Sequence, residues 1–177
     1  YRCDEASEWY PDIADMRKKI TRKTKAIVII NPNNPTGVIY PVEVIEKLRR
    51  EIPEIALRTT LITGFPGETK EQHEELMAFV DEMEFDRLGV FTYSPEEDTP
   101  AATMADQISE EVKEDRQADL MELQQEIAFD KAEDMIGNEL LVMIEGKVAD
   151  ENAYVGRTYM DAPNVDGLIF VESDEEL

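Results

Sequence analysis

The stretch RTTLITGFPGET, residues 58–69, changes from an apolar, β-branched run into a Gly-Pro-Gly turn and then the start of a helix. The run before Gly64 has the stiff side chains of a buried strand, whereas Gly64 and Gly67 permit backbone angles that a Cβ disfavours. Thr69 and Gln72 have the spacing of a capping box, which predicts a helix directly after Thr69. Ligand sites in open α/β sheets and barrels usually lie at such a strand end, so this turn is a candidate ligand site.

Patterns on either side of the turn predict a parallel α/β layer. Short apolar runs predict buried strands, and spacings of three and four residues predict helices. Strands of the layer are predicted at 26–30, 57–63 and 88–92. Helices are predicted directly after Pro11, at 41–50, at 71–83, and from Ser109 to Gly137. Alternation of strands and helices is typical of parallel sheets, so the strand at 26–30 is expected to lie beside the strand at 57–63.

The long helix is expected to be followed by an incomplete small antiparallel sheet or barrel. Its three short strands are predicted at 139–145, 153–159 and 167–172. Within the long helix, one apolar face is predicted from Val112, Leu120, Leu123 and Ile127. The polar loop YSPEEDTP at 93–100 follows a parallel strand, so it is expected to face the Gly64 turn.

The chain has 177 residues and a formal charge of -23, which is unevenly distributed. Residues 1–50 carry 10 Lys and Arg against 7 Asp and Glu, whereas residues 51–177 carry 8 against 34. Such an acidic surface repels nucleic acid phosphates and anionic membranes, so a macromolecular partner is expected to be basic. No apolar run approaches the roughly 20 residues that span a bilayer, and no signal peptide opens the chain, which predicts a cytoplasmic location.

Few residues of this chain have the pattern of a metal or catalytic site, and none is assigned a catalytic or metal-ligating role. Cys3 is the only cysteine, which excludes a cluster or zinc site held by three or four thiolates of this chain. His73, the only histidine, lies in an acidic helix and is predicted to be a surface residue. Glu96, Glu97 and Asp98 could bind a cation, although three loop carboxylates are commonly just solvated.

The motif NPNNPTG at 31–37 indicates a loop from its residues alone, because Asn and Pro favour turns. Together with its surroundings it also resembles an internal segment of the pyridoxal-phosphate-dependent class I aminotransferases, in particular the alanine branch, over about residues 1–45. The resemblance implies that Asn34 contacts the hydroxyl of the pyridoxal ring. The Schiff-base lysine and the phosphate-binding residues of that family lie further along, where this sequence has left the family. Without that lysine no internal aldimine forms, so pyridoxal phosphate is not an expected cofactor.

Four blocks between residue 44 and the end carry a second resemblance: RTTLITGFPGET, FDRLGVFTYSPEEDTPAA, ELQQEIAFDKAEDMIG and YVGRTYMDAPNVDG. They resemble the carboxyl-terminal half of the radical S-adenosylmethionine methylthiotransferases, in the branch that modifies an aspartate of a small-subunit ribosomal protein. The resemblance implies the last part of a β/α barrel followed by a TRAM domain. It implies domains at 1–45 (aminotransferase-like), 46–136 (barrel part) and 137–177 (truncated TRAM-like module).

This second resemblance also implies site residues and partners. S-adenosylmethionine would lie against Gly64, Gly67 and Glu68, with a well-capped strand–helix turn as the alternative reading of these residues. A basic ribosomal protein would contact Arg157, Asp161 and Asp166, with loop structure as the alternative. The family also holds iron–sulfur clusters through a CxxxCxxC loop and three amino-terminal cysteines, none of which is present here.

The sequence therefore predicts a hybrid chain whose function follows its longer part. The first hypothesis is a ribosomal-protein methylthiotransferase segment that is inactive alone, because the cluster cysteines are absent. The second is an acidic module that binds a basic ribosomal protein, and the third is a fragment of a pyridoxal-phosphate aminotransferase.

Overall fold

A computed structural model describes residues 1–3, 5, 8–30, 40–52 and 54–177. The chain divides into two compact units, Tyr1–Ile55 and Ala56–Leu177. Within the described residues, no helix combines the length and the apolar character needed to cross a bilayer.

The first unit contains two helices. Helix α1, Ile13–Lys19, begins where the side chain of Asp12 accepts a hydrogen bond from Asp15 N, and three basic residues in its last turn suit the negative end of the helix dipole. Helix α2 spans Val42–Glu51 and follows Pro41, which occupies the N-cap position and makes no side-chain cap. Both helices were predicted by the sequence, and both are confirmed.

The strand predicted at 26–30 does not form. These residues have no regular structure, and Val28 is 70% exposed. An apolar run becomes a strand only where a neighbouring strand supplies hydrogen bonds, and none of the described residues of this unit does so. Asn34 lies in the stretch 31–39, outside the described residues.

The second unit begins with two parallel strands joined by a helix. Strand β1, Arg58–Thr63, pairs with β2, Arg87–Thr92, in a register that runs from Arg58 opposite Arg87 to Thr63 opposite Thr92. Helix α3 connects them over Lys70–Met83, and its capping box of Thr69 and Gln72 is the one that the sequence predicted. It ends at Glu84, which adopts a left-handed conformation.

Helix α4, Glu110–Asp134, packs with α3 over one face of this sheet. Their buried side chains form a core with the strands, consisting of Val80, Val90, Leu120 and Ile127, against which Leu61, Leu76, Met77, Leu88 and Leu123 pack. Side chains alternate along a strand, so the neighbouring register pair, Ile62 and Phe91, points away from the helices. These two side chains are 60% and 61% exposed.

The face of α4 that points inward differs partly from the predicted one. Leu120, Leu123 and Ile127 pack in the core as predicted, but Val112 is exposed. Lys113 and Arg116 occupy the buried face of the first two turns instead. The inward stripe therefore starts with two cations.

A three-stranded antiparallel sheet of order β3-β4-β5 completes the unit. Its strands are β3, Met143–Lys147, β4, Ala153–Arg157, and β5, Ile169–Glu172. The pairing of β3 with β4 shifts between Ile144 and Gly146. A small parallel layer, a long helix and a small antiparallel module confirm the predicted fold class, although β3 begins four residues later than predicted.

Gly156 is required by the close approach of the chain before β3. A Cβ built on it would lie 2.6 Å from Val142 Cγ1 and 2.7 Å from the backbone oxygen of Met143. We expect Gly156→Ala to lower the free energy of unfolding by about 1–3 kcal/mol, because a backbone atom must move. Gly167→Ala is the matched control in urea denaturation, since no atom lies within 4 Å of its Cβ position. Equal midpoints for the two variants would contradict the prediction.

Candidate functional site

The turn after β1 lies at the carboxyl edge of the parallel sheet and has a regular turn geometry. Gly64 and Gly67 have φ angles of +77° and +83°, which favour glycine. The N–H of Glu68 donates to the carbonyl of Phe65 at 2.9 Å, and Pro66 and Gly67 hold the two central positions. This combination is typical of a type II turn.

The Glu68 carboxylate is bonded to the chain on both oxygens. Oε2 accepts from Gly64 N at 3.0 Å, and Oε1 accepts from Thr63 Oγ1 at 3.2 Å. Arg116 of α4 donates to the same Oε1 at 2.6 Å and to the Glu68 carbonyl at 3.2 Å. Glu68 therefore holds the turn against the strand end and against α4.

Lys113 of α4 lies directly under Gly64. A Cβ on Gly64 would come within 2.3 Å of Lys113 Cγ, so only glycine leaves room for this side chain. The Lys113 ammonium group donates to Glu110 Oε1 at 2.6 Å and lies 5.5 Å from the ring centre of Tyr93. Glycine is thus required at position 64 both by its φ angle and by this contact.

The two loops that the sequence placed at the same edge do meet. Tyr93, the first residue after β2, donates its backbone N–H to the carbonyl of Thr63 at 2.8 Å. Its ring packs edge-on against Phe65 with ring centres 5.2 Å apart. The Tyr93 hydroxyl is buried and has no hydrogen-bond partner among the described residues.

The start of α3 provides fewer free donors than a bare helix end. Gln72 N donates to Thr69 Oγ1, and Thr69 N donates to Gln72 Oε1. Hydrogen bonds from its own backbone N–H and from the Thr69 side chain hold the pKa of Glu71 below its usual range. The side chains of this turn thus occupy donors that would otherwise attract an anionic ligand.

Asp161 and Asp166, which the sequence proposed for substrate contact, are both paired with arginines. Asp161 accepts from Thr158 N at 2.8 Å and from Arg87, and its side chain is 3% exposed. Asp166 accepts from Arg58 Nη1 at 2.5 Å and from Ala162 N at 2.6 Å. These carboxylates fasten the loop between β4 and β5 to the sheet of β1 and β2.

Apart from Arg157, the predicted site residues that the structure describes lie at two opposite edges of the parallel sheet. Asp161 and Asp166 are held by arginines at the amino edge, and Gly64, Gly67 and Glu68 lie at the carboxyl edge. Arg58 and Arg87 are register partners at the amino ends of β1 and β2, whereas Gly64 and Glu68 follow the carboxyl end of β1. Strands of six residues separate these edges by roughly 17–20 Å. Arg157, the remaining predicted residue, lies on β4 and donates to Glu145 Oε1 at 2.6 Å.

His73 is buried, so the prediction of a surface histidine is wrong. It faces α4, where its Nε2 lies 3.2 Å from Asp119 Oδ2, and its Nδ1 has no partner among the described residues. The acidic pattern of its helix hid this position, because burial depends on which face of α3 the next helix covers.

The thiol content of the chain does not fit an iron–sulfur cluster. Clusters are held by three or four thiolates in most sites, and Cys3 is the single cysteine, with its Sγ 3.7 Å from the hydroxyl of Tyr40. Across the residues that the structure describes, including Glu96, Glu97 and Asp98, no group of three or more His, Cys, Asp or Glu side chains has a metal-holding arrangement.

Sequence reasoning missed Lys113, Arg116 and Tyr93. The signal for the first two was present, because continuing the inward stripe of α4 backward from Leu120 in steps of four and three reaches Arg116 and Lys113. The apolar pattern instead favours Val112 at this end of the helix. No comparable signal existed for the orphaned hydroxyl of Tyr93.

Two protein families match separate parts of the chain. Residues 136–177 match the TRAM domain family, and residues 1–56 match the aminotransferases of class I and II. The first match covers the antiparallel module, and the second covers the unit Tyr1–Ile55. By class, the chain combines an aminotransferase-like segment with a TRAM-containing segment.

The similar curated proteins are more specific. The ribosomal protein uS12 methylthiotransferase RimO of Lachnoclostridium phytofermentans is 65% identical over 136 residues, which is 77% of this chain and 31% of that protein. RimO of Alkaliphilus oremlandii is 49% identical over 128 residues, covering 72% of this chain and 29% of the relative. RimO of Clostridium botulinum is 45% identical over 160 residues, covering 90% and 33%. The resemblance to the ribosomal-protein branch of the methylthiotransferases is confirmed, and the chain spans about a third of these relatives.

Removing Arg116 should destabilise the fold through Glu68. We expect Arg116→Gln to lower the free energy of unfolding by about 3 kcal/mol, because it leaves a nearly buried carboxylate without its cation. The control is Lys70→Gln, which removes the same charge from an exposed pair with Glu74 and should change stability by less than about 0.5 kcal/mol. Urea denaturation of both variants measures these changes in the free energy of unfolding. A similar loss in the two variants would show that Glu68 does not depend on Arg116.

Asp161 should make stability depend on acid pH. Burial raises the pKa of Asp161, but hydrogen bonds from Thr158 and Arg87 outweigh burial and hold the pKa below its usual range. Its stabilising contribution is therefore complete above the unfolded-state pKa of about 3.9 and disappears as pH falls through the lower folded-state pKa. We expect Asp161→Asn to flatten the pH dependence of unfolding in that range, relative to the exposed control Asp174→Asn. Parallel curves for the two variants would refute this role.

Proposed function

We propose that residues 46–177 are the carboxyl-terminal part of an enzyme that methylthiolates a ribosomal protein, and that this chain alone does not catalyse the reaction. The observation that carries the proposal is the 65% identity to a uS12 methylthiotransferase over 136 residues. The position of the Gly64 turn at the carboxyl edge of the parallel sheet supports the proposal, because α/β enzymes usually bind their ligands at this edge. A cytoplasmic location belongs to the same proposal.

S-adenosylmethionine is the proposed ligand of the turn. Gly67 has no atom within 4 Å of its Cβ position, so the backbone can approach the ligand closely there. Gly64 leaves room for Lys113 beside the turn, and Glu68 acts by holding the turn in shape. The exposed side chains of Phe65, Ile62 and Phe91 offer apolar surface beside the turn for the ring system of the cofactor. The orphaned hydroxyl of Tyr93 offers a polar contact. When bound, this cofactor supplies the methyl group and the radical precursor of methylthiolation.

The partner is proposed to be a basic small-subunit ribosomal protein, contacted at Arg157 and at the loop that Asp161 and Asp166 hold. Arg157 stands on β4, where its side chain is 24% exposed. Asp161 and Asp166 support the contact by fixing the loop between β4 and β5, since their carboxylates are paired with Arg87 and Arg58.

The proposed domains are 1–45, 46–136 and 137–177. The TRAM match at 136–177 supports the last boundary. The first boundary lies inside α2, whereas the compact units divide after Ile55. The match of residues 1–56 to aminotransferases supports the origin of the first segment, and the contact of Asn34 with a pyridoxal ring stays a proposal.

Anaerobic reconstitution tests the proposal that the chain is inactive alone. Incubated with iron, sulfide and reductant, the chain should develop no iron–sulfur absorbance and should not cleave S-adenosylmethionine reductively, because it has one cysteine. A full-length uS12 methylthiotransferase treated in parallel should do both. Cluster absorbance or cleavage by this chain would refute the proposed inactivity.

The charge distribution favours a second candidate, an acidic module that binds a basic ribosomal protein without chemistry. Residues 51–177 carry 34 acidic against 8 basic side chains. We expect purified uS12 to be retained by the immobilised chain at about 50 mM salt and released progressively toward 0.5 M, because salt screens exposed charges. A neutral protein of similar size is the control. Retention that does not change with salt, or none at low salt, would exclude the electrostatic module.

A further inference from the structure

Lys113 is a buried cation whose counter-ion is exposed. Its side chain is 3% exposed, whereas that of Glu110 is 72% exposed. An ammonium group has three protons to donate. Within the part of the chain that the structure describes, Glu110 is the only acceptor that Lys113 Nζ reaches, at 2.6 Å. A buried charge with a single exposed partner is poorly satisfied.

Tyr93 adds a second unsatisfied group at the same place. The Lys113 ammonium group lies 5.5 Å from the centre of its ring, and the hydroxyl of that ring is buried without a partner in the described residues. Both side chains contact the Gly64 turn, Lys113 through Gly64 and Tyr93 through Phe65. Two donors without a full set of acceptors therefore lie beside the candidate ligand site.

The neighbouring cation is not available for a ligand. Arg116 is bonded to both the carboxylate and the carbonyl of Glu68. Lys113, in contrast, is held by a residue three positions earlier on its own helix, and that residue can swing into solvent. The beginning of α4 also contributes a positive dipole end at this position.

We propose that Lys113 receives a carboxylate of the ligand bound at the Gly64 turn, with Tyr93 as second donor, and that Glu110 occupies this position until the ligand displaces it. The inference rests on the proposed function of the turn as a ligand site. The carboxylate has two possible sources, the methionine part of S-adenosylmethionine or an acidic side chain of the acceptor protein.

Binding of small probes to the whole chain separates these sources. The first pair of probes is S-adenosylmethionine and its decarboxylated analogue, and the second is N-acetyl-aspartate methylamide and the asparagine equivalent. Affinities are measured by NMR titration, following the backbone amides of Gly64 and Lys113. In one of the two pairs, the probe with the carboxylate should bind about tenfold more tightly, the effect expected of a hydrogen bond to a charged group.

Four variants assign the effect to Lys113. Lys113→Gln should abolish the preference for the carboxylate probe, and Lys113→Arg should retain it. Glu110→Gln should tighten binding of the same probe, because the competing carboxylate is gone. Because Glu110→Gln is expected to strengthen binding whereas Lys113→Gln is expected to weaken it, the proposal can be tested even if the Lys113→Gln variant does not fold. The control Lys70→Gln removes an exposed positive charge from α3 and should leave both affinities unchanged.

The outcomes distinguish this inference from the proposed function. If S-adenosylmethionine binds but neither probe pair shows a preference that depends on Lys113, the inference is overturned and the cofactor site stands. If the aspartate probe binds through Lys113 while S-adenosylmethionine does not bind, the inference stands and the cofactor assignment fails. If no probe binds the wild-type chain or Glu110→Gln, both are overturned for this chain.

Discussion

The ion pair between Glu68 and Arg116 is the interaction on which the second unit depends. A carboxylate that is nearly buried is costly unless its oxygens are bonded, and this one is bonded to the strand end, to the turn and to α4. The pair fixes the rotation of α4 about its axis. With Arg116 facing the turn, Leu120 and Ile127 necessarily face the sheet and Lys113 necessarily lies beneath Gly64. One contact thereby couples the candidate site to the core.

Scarce cations explain how so acidic a segment folds. Residues 51–177 contain eight Lys and Arg, and seven of them form ion pairs within the segment: Arg58, Lys70, Arg87, Lys113, Arg116, Lys131 and Arg157. The eighth, Lys147, lies over the ring of Tyr154. Five of the seven ion pairs join different elements or loops, and the other two lie within α3 and α4, so most of the positive charge is used to join parts of the fold. The unpaired acidic residues are left to the surface, where water solvates them at little cost.

The two edges of the parallel sheet have different tasks. At the amino edge, Arg58 and Arg87 hold the loop between β4 and β5 through Asp166 and Asp161. At the carboxyl edge, the Gly64 turn and Tyr93 come together with polar groups that the described residues do not fully satisfy. An edge closed by complete ion pairs is suited to structural support, whereas incompletely satisfied donors are costly for folding and are commonly found where ligands bind.

The sequence was most informative where structure is decided locally. The capping box at Thr69 and the glycines of the turn depend on residues a few positions apart, so their spacing sufficed to predict them. The burial of His73 and Lys113 depends on how α3 and α4 face each other, which no local pattern encodes.

The run at 26–30 has the composition of a strand buried on both faces, yet a strand also needs neighbours, and the described residues of its unit provide none. Ile62 on β1 and Phe91 on β2 are exposed for the same reason. Their apolar side chains suit a covered face of the sheet, but the described residues of α3 and α4 cover only the opposite face. The composition of a strand therefore indicates which neighbours would suit it, and only the folded structure shows which of those neighbours are present.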